Sequence, residues 1–179
     1  MILFTDEQLV FSLRQGDLDA FEEFYHRYKR HIYTFCLNLA GDPALAEDAA
    51  HDCFLKMYDN IRTLNDATQF RSWLFTIARN ELFKSLQKNR RNGPLDNESV
   101  WTDETPLVLA QNSDLRTIVD KCIGGLRYEY REVLHLREYE QRSYEEIASI
   151  TGNTESSVKS RLFKARRALA EKLKPFFRE

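Results

Sequence analysis

A chain of 179 residues, 42% apolar and 30% charged, is long enough for one or two small domains, and its formal net charge of −2 gives no global sign of a polyanion partner. Cys36, Cys53 and Cys122 are odd in number and lack any Cys-x-x-Cys spacing, which argues against a zinc site or redox pair and for neutral thiols in a reducing compartment. Asp6 and Glu7 interrupt the only early apolar run and no stretch has the apolar length of a membrane span, so the expected location is the cytoplasm.

With four prolines, six glycines and no alternating strand pattern, the chain reads as all-α. Thr5-x-x-Gln8 predicts a capping box that opens a short helix, closed by Gly16. Asp17 is the next cap, and Phe21, Phe24, Tyr25, Tyr28, Ile32, Phe35 and Leu39 recur as one buried stripe. Gly41-Asp42-Pro43 ends that helix and starts a third, with Asp42 as cap and Pro43 at the first helical position, reaching to Asn60. Residues 62–69 read as a loop. A fourth helix from Phe70 carries Trp73, Leu74, Ile77 and Ala78, with Trp73 read as packing, and ends in a basic tail of Lys84, Lys88, Arg90 and Arg91.

Asn92-Gly93-Pro94 stops this helix. From there to residue 115 there is no lysine or arginine, while Asp96, Glu98, Asp103, Glu104 and Asp114 are acidic. Residues 92–112 therefore read as a flexible acidic linker between two small helical domains, 1–91 and 113–179. Helical pattern resumes with Leu115, Ile118, Val119, Cys122 and Ile123, breaks at Gly124-Gly125, and restarts with Tyr130, Val133, Leu134 and Leu136.

The C-terminal stretch is the most specific. Ser143 and Glu146 form a capping box ahead of Ile147, Ala148 and Ile150; Gly152-Asn153 makes a sharp exit, and Thr154 caps a second helix. Val158, Leu162, Ala165 and Leu169 must face inward, leaving Ser156, Lys159, Ser160, Phe163, Lys164 and Arg167 outside. Between residues 158 and 170 the charges are Lys159, Arg161, Lys164, Arg166 and Arg167, with no acid, whereas a merely solvated helix mixes signs. Helix-turn-helix proteins lay such a second helix in the DNA major groove. There Lys159 suits guanine acceptors, Ser160 a base or phosphate, and Phe163 a thymine methyl. Arg161 and Arg167 suit phosphates, and Lys164 either role. His26, His31, His51 and His135 are scattered, and no nucleophile elbow, phosphate loop or metal spacing exists, so no enzyme, metal or cofactor is expected.

Tyr130-Arg-Glu-Val-Leu-His-Leu-Arg137, Ser143-Tyr-Glu-Glu-Ile-Ala148 and Ser157-Val-Lys-Ser-Arg-Leu-Phe-Lys-Ala-Arg166 together resemble region four of bacterial sigma factors of the extracytoplasmic-function group. Phe70-Arg-Ser-Trp-Leu-Phe-Thr-Ile-Ala-Arg-Asn80 resembles the segment of that group that melts and reads the promoter minus-ten element, and Ala46-Glu-Asp-Ala-Ala-His-Asp-Cys-Phe54 its polymerase-binding helix. The likeness runs over residues 6–173 except the linker. It implies a sigma factor that binds core RNA polymerase, melts the minus-ten element with the first domain and reads the minus-thirty-five element with the second. Glu47, Asp48 and Asp52 would then meet the beta-prime clamp, and the second domain the beta flap. Arg79, Asn80 and the polar residues of 62–69 would capture an unstacked base, while Lys84 and Lys88, with Arg90 and Arg91, would neutralise phosphates. It further implies an anti-sigma inhibitor, membrane-bound in many relatives, a linker whose acids imitate nucleic acid in the RNA-exit region, and no small-molecule substrate. The chain departs from the group at His51-Asp52, where Gln-Glu is common, at Tyr58, Lys84 and Gln87, and at Arg127, where proline is common. The alternative is a conventional helix-turn-helix regulator that acts without being a polymerase subunit; it requires a symmetric dimer on a pseudo-palindromic site.

Overall fold

The computed structural model describes residues 4–92 and 115–177, and every regular element among them is helical. No helix among the described residues is long and apolar enough to cross a membrane. The chain divides into two compact units near residue 93. From residue 93 on, the stretch expected to be a linker lies outside the described residues.

In the first unit, α1 (Asp6–Arg14) opens with the expected box: Gln8 N–H donates to Thr5 Oγ1 (3.3 Å) and Thr5 N–H to Gln8 Oε1 (2.9 Å). Gly16, at φ +88°, turns the chain into α2 (Leu18–Ala40), capped by Asp17. Gly41, at φ +69°, ends α2, and Asp42 caps α3 (Pro43–Asn60). The long helix α4 (Phe70–Asn92) packs on α2 and α3. Phe24 stacks on Phe70 with centroids 4.0 Å apart, and Phe35 meets Phe75 edge-on at 5.2 Å. Tyr25 departs from the buried stripe: it is exposed and meets Phe54 edge-on at 5.0 Å. Phe24, Tyr28, Ile32, Phe35 and Leu39 already fill the buried side of α2, so Tyr25 falls on its flank.

Residues 61–69 are more ordered than the loop expected there. They form two 3-10 turns, Ile61–Thr63 and Ala67–Gln69, the second capped by Asp66, whose carboxylate accepts from Thr68 N–H (2.9 Å) and Oγ1–H (2.7 Å). The Thr68 hydroxyl holds the Asp66 carboxyl below its usual range. Arg14 donates to the carbonyls of Ile61 and Leu64, and Arg62 to the carbonyl of Arg14. These bonds tie the first turn to α1. At the other end of α1, Asp6 accepts from Arg27 (2.7 Å) and from the Tyr28 hydroxyl.

In the second unit, α5 (Leu115–Gly124) leads to α6 (Tyr128–Leu134). Arg131 of α6 is buried and donates to the carbonyls of Gly124 (2.7 Å) and Leu126 (2.8 Å), satisfying the end of α5. Burial lowers its guanidinium from the ordinary arginine range. The helix expected to continue from Tyr130 widens at His135–Tyr139 into a π-helical turn. This turn buries His135 with Glu140, 3.6 Å apart, and stacks the His135 ring on Tyr139 at 4.9 Å. After Gln141 the chain enters α7 (Tyr144–Thr151), then α8 (Glu155–Leu173), which carries a short 3-10 turn, Lys174–Phe176, at its end.

Gln141 alone among the described non-glycine residues has positive φ, at +54°, and its side chain is exposed, so a substitution there acts through the backbone. Gln141→Val is expected to be less stable than Gln141→Gly by about 1–2 kcal/mol, read from urea unfolding midpoints. Coincident midpoints for the two variants would mean the turn is not held in the left-handed region.

Candidate functional site

The second unit presents a helix-turn-helix. Glu146 N–H donates to Ser143 Oγ (3.1 Å) and Ser143 N–H to Glu146 Oε2 (2.7 Å), which closes the box at the start of α7. Gly152, at φ +67°, ends α7, and Thr154 Oγ1 accepts from Ser157 N–H (3.2 Å) to start α8. Val158, Leu162 and Ala165 are fully buried and Leu169 half-buried. Ser156, Lys159, Ser160, Phe163, Lys164 and Arg167 are exposed, so the structure brings these together on one outward face. Phe163 is 67% exposed, an apolar group held in water at the middle of that face.

The cations of α8 are not equivalent. Arg161 is half-buried on the flank. Arg166 donates to Glu138 from Nη2 (2.7 Å) and Nε (3.1 Å), which raises its guanidinium further and links α8 to the π-helical turn. That pair is half-exposed and contributes at most about 1 kcal/mol. Each buried Val or Leu side chain contributes roughly 1.5–3 kcal/mol. Core packing therefore orients α8, and Arg166 only braces it. Lys159 faces Glu155 at 3.6 Å, with its Nζ 5.3 Å from the Tyr144 ring centroid. Lys164 and Arg167 hold no ion pair among the described residues, so their charge is available to an anion.

The first unit carries two concave surfaces. One, of about 410 Å³, lies where the C-terminal end of α3 and the first 3-10 turn meet α4, lined among others by Lys56, Thr63, Trp73, Asn80 and Lys84. Asn80 and Lys84 are exposed, Lys84 pairing with Glu81 at 2.7 Å, and Arg79 is half-buried beside them. Trp73 packs toward Phe70 with centroids 6.1 Å apart and is half-buried, so it also gives part of its ring to this surface.

The other surface, of about 920 Å³, runs between α2, α3 and α4. Glu47, Asp48 and Asp52 line it; all three are exposed, and none holds an ion pair among the described residues. Lys29, Arg30, His51 and Tyr33 line it too, as does Lys88. Lys88 therefore sits with the acidic face and apart from Asn80 and Lys84. Eight residues beyond Asn80, it has drifted about 80° around α4. The side chains of Arg90 and Arg91 lie outside those described.

Residues 24–92 match the Sigma-70 region 2 family and residues 116–169 the Sigma-70, region 4 family. The ECF RNA polymerase sigma-E factor of Haemophilus influenzae is 30% identical over 183 residues, covering 96% of this chain and 96% of the relative. The RNA polymerase sigma-H factor of Pseudomonas aeruginosa is 29% identical over 187 residues, covering 97% of this chain and 96% of the relative. Among solved structures, the sigma factor RpoE in complex with the anti-sigma factor NepR from Bartonella quintana is similar with a TM-score of 0.73 and 26% identity, over 86% of this chain and 96% of that one. CnrH in complex with the cytosolic domain of CnrY shares the fold, with a TM-score of 0.71 at 22% identity, over 95% of this chain and 97% of that one.

Because Arg167 is exposed and holds no ion pair among the described residues, any contact it makes with duplex DNA is electrostatic. Arg167→Ala is expected to weaken binding of the full chain to short duplexes of unrelated sequence alike, and to lower the slope of log affinity against log salt by about 0.9. An unchanged slope would remove Arg167 from the interface.

Proposed function

The chain belongs to the extracytoplasmic-function group of RNA polymerase sigma factors, and we propose that its surfaces divide the work of initiation between polymerase and promoter. It binds core RNA polymerase and directs promoter-specific initiation. Residues 1–91 serve core binding and the minus-ten element, residues 92–112 the tether, and residues 113–179 the minus-thirty-five element.

One observation carries this assignment. The described residues form two outward faces of opposite sign: Glu47, Asp48 and Asp52 on α3, and Lys164 and Arg167 on α8, none in an ion pair among the described residues. A conventional helix-turn-helix regulator accounts for the second face and leaves the first without a use. On α3, Glu47, Asp48 and Asp52 make charge-assisted hydrogen bonds to basic residues of the polymerase clamp. Lys88, Lys29 and Arg30 border the same groove, so that partner presents both signs, and Lys88 works on the polymerase side and not on DNA. The smaller surface beside α4 receives an unstacked minus-ten base. Trp73 offers a stacking face there, Asn80 offers hydrogen bonds, and Lys84 a phosphate contact, with Arg79 next to Asn80 in the chain but outside the lining of that surface.

On α8, Lys159, Ser160 and Phe163 face base edges, Lys164 a base or phosphate, and Arg161 and Arg167 the backbone. The chain catalyses no reaction itself, since the family is not an enzyme class, and it acts in the cytoplasm. The likeness to RpoE, whose structure holds the anti-sigma factor NepR, supports an anti-sigma protein as inhibitor of this chain.

Asp48→Arg is expected to lower affinity for core polymerase about ten- to a hundredfold, the loss of one or two charge-assisted bonds, with unchanged far-ultraviolet circular dichroism. Undiminished co-elution of the variant with core on gel filtration would refute the role of this face.

A further inference from the structure

Tyr144 opens α7 and lies half-buried where α7, the π-helical turn and α8 meet. Cations from both neighbours gather at its ring. The Arg137 guanidinium is 4.9 Å from the ring centroid and the Lys159 ammonium 5.3 Å. A third, Arg166, is held by Glu138 of the π-helical turn. Arg137 is anchored a second time, donating to the carbonyl of Arg142 at 2.7 Å, and Arg166 by both of its bonds to Glu138. Among the described residues Lys159 has no comparable anchor. Its remaining partner is Glu155 at 3.6 Å, one turn back on the same helix, with both side chains about half exposed.

An exposed i,i+4 pair biases a side chain only about twofold. A cation over a tyrosine ring at an exposed site adds about two- to fivefold. A lysine with four rotatable bonds otherwise spreads over many rotamers. The ring is therefore the stronger of the two restraints on this ammonium, and it comes from a different helix.

We propose that Tyr144 is a positioning residue for promoter recognition. Its ring, fixed at the start of α7, holds the Lys159 ammonium in one place on the outward face of α8, so that the lysine meets DNA already ordered. Ring-less variants lose what Lys159 contributes without losing the helix. The inference rests on Lys159 contacting promoter DNA, as proposed above, and extends that reading to a residue outside α8.

The test uses the full chain with core polymerase on a promoter library randomised across the minus-thirty-five element, read by sequencing the transcripts. It compares the parent, Lys159→Ala, Tyr144→Leu, Tyr144→Phe and the double variant Tyr144→Leu/Lys159→Ala. Lys159→Ala is expected to relax preference about tenfold at one base pair. Tyr144→Leu should relax the same base pair about two- to fivefold, and Tyr144→Phe, which keeps the ring, should retain the parental profile. The double variant should be no worse than Lys159→Ala alone. Tyr144→Met serves as a second ring-less variant if Tyr144→Leu unfolds, as judged by urea titration. Additive effects in the double variant overturn the inference, whatever Lys159 touches, as does a parental profile for the ring-less chains. A uniform loss for Lys159→Ala over all library members instead overturns base reading by Lys159. A double variant that still shows no further loss then upholds the positioning role toward a phosphate contact.

Discussion

Burying Val158, Leu162 and Ala165 beneath α8 decides which of its residues meet solvent, and the function of the second unit depends on that choice. Turning α8 by one residue, about 100°, would bring Lys159 toward the core and carry Val158 out of it. Burying an unpaired ammonium costs far more than the exposed ion pairs on this helix return, so the register has no competitor of similar energy. The turn before α8 reinforces it. Gly152 takes the left-handed conformation, and Thr154 accepts from Ser157 N–H, so α8 begins at a defined residue. Phe163 can stay 67% exposed because the buried stripe is already filled by its neighbours.

The first unit is organised by a different balance. Its aromatic core, centred on Phe24, Phe35, Phe70 and Phe75, packs α2 and α4 together and leaves the outer side of α3 with carboxylates that have no internal use. The acids do not stand alone, because Lys29, Arg30 and Lys88 border the same groove. A mixed rim of this kind favours a matched partner over any polycation and suits an interface that must be specific and reversible. The turns at residues 61–69 belong to the same economy of local bonds. Arg14 and Asp66 hold them, so the surface next to Trp73 and Asn80 is already shaped by bonds within the unit.

What could be read from residues alone was local. Capping pairs such as Thr5 with Gln8 and Ser143 with Glu146, and the exits at Gly41 and Gly152, act within a few residues, and each stands where its sequence places it. Periodicity likewise separated the two sides of α8. Features that depend on a distant partner were not readable. Tyr25 lies on the flank of its helix because five other side chains fill the core first. Lys88 joins the acidic groove through helical drift, which only packing against α2 and α3 makes consequential. The π-helical turn at His135–Tyr139, which carries Arg137 to Tyr144, has no composition signal of its own. The family likeness supplied the roles of Glu47, Asp48 and Asp52, for which periodicity gave only a shared exposed face.

The central claim is that the two faces act through one machine: this chain reads promoters as a subunit of polymerase. Transcription in vitro by core RNA polymerase on fragmented genomic DNA, with and without the chain, tests it most directly. With the chain, initiation should appear at discrete start sites that share sequences at both minus ten and minus thirty-five, and these starts should vanish when the chain is omitted. Sequence-specific footprints of a palindromic site by the chain alone, with no new start sites in the presence of core, would contradict it.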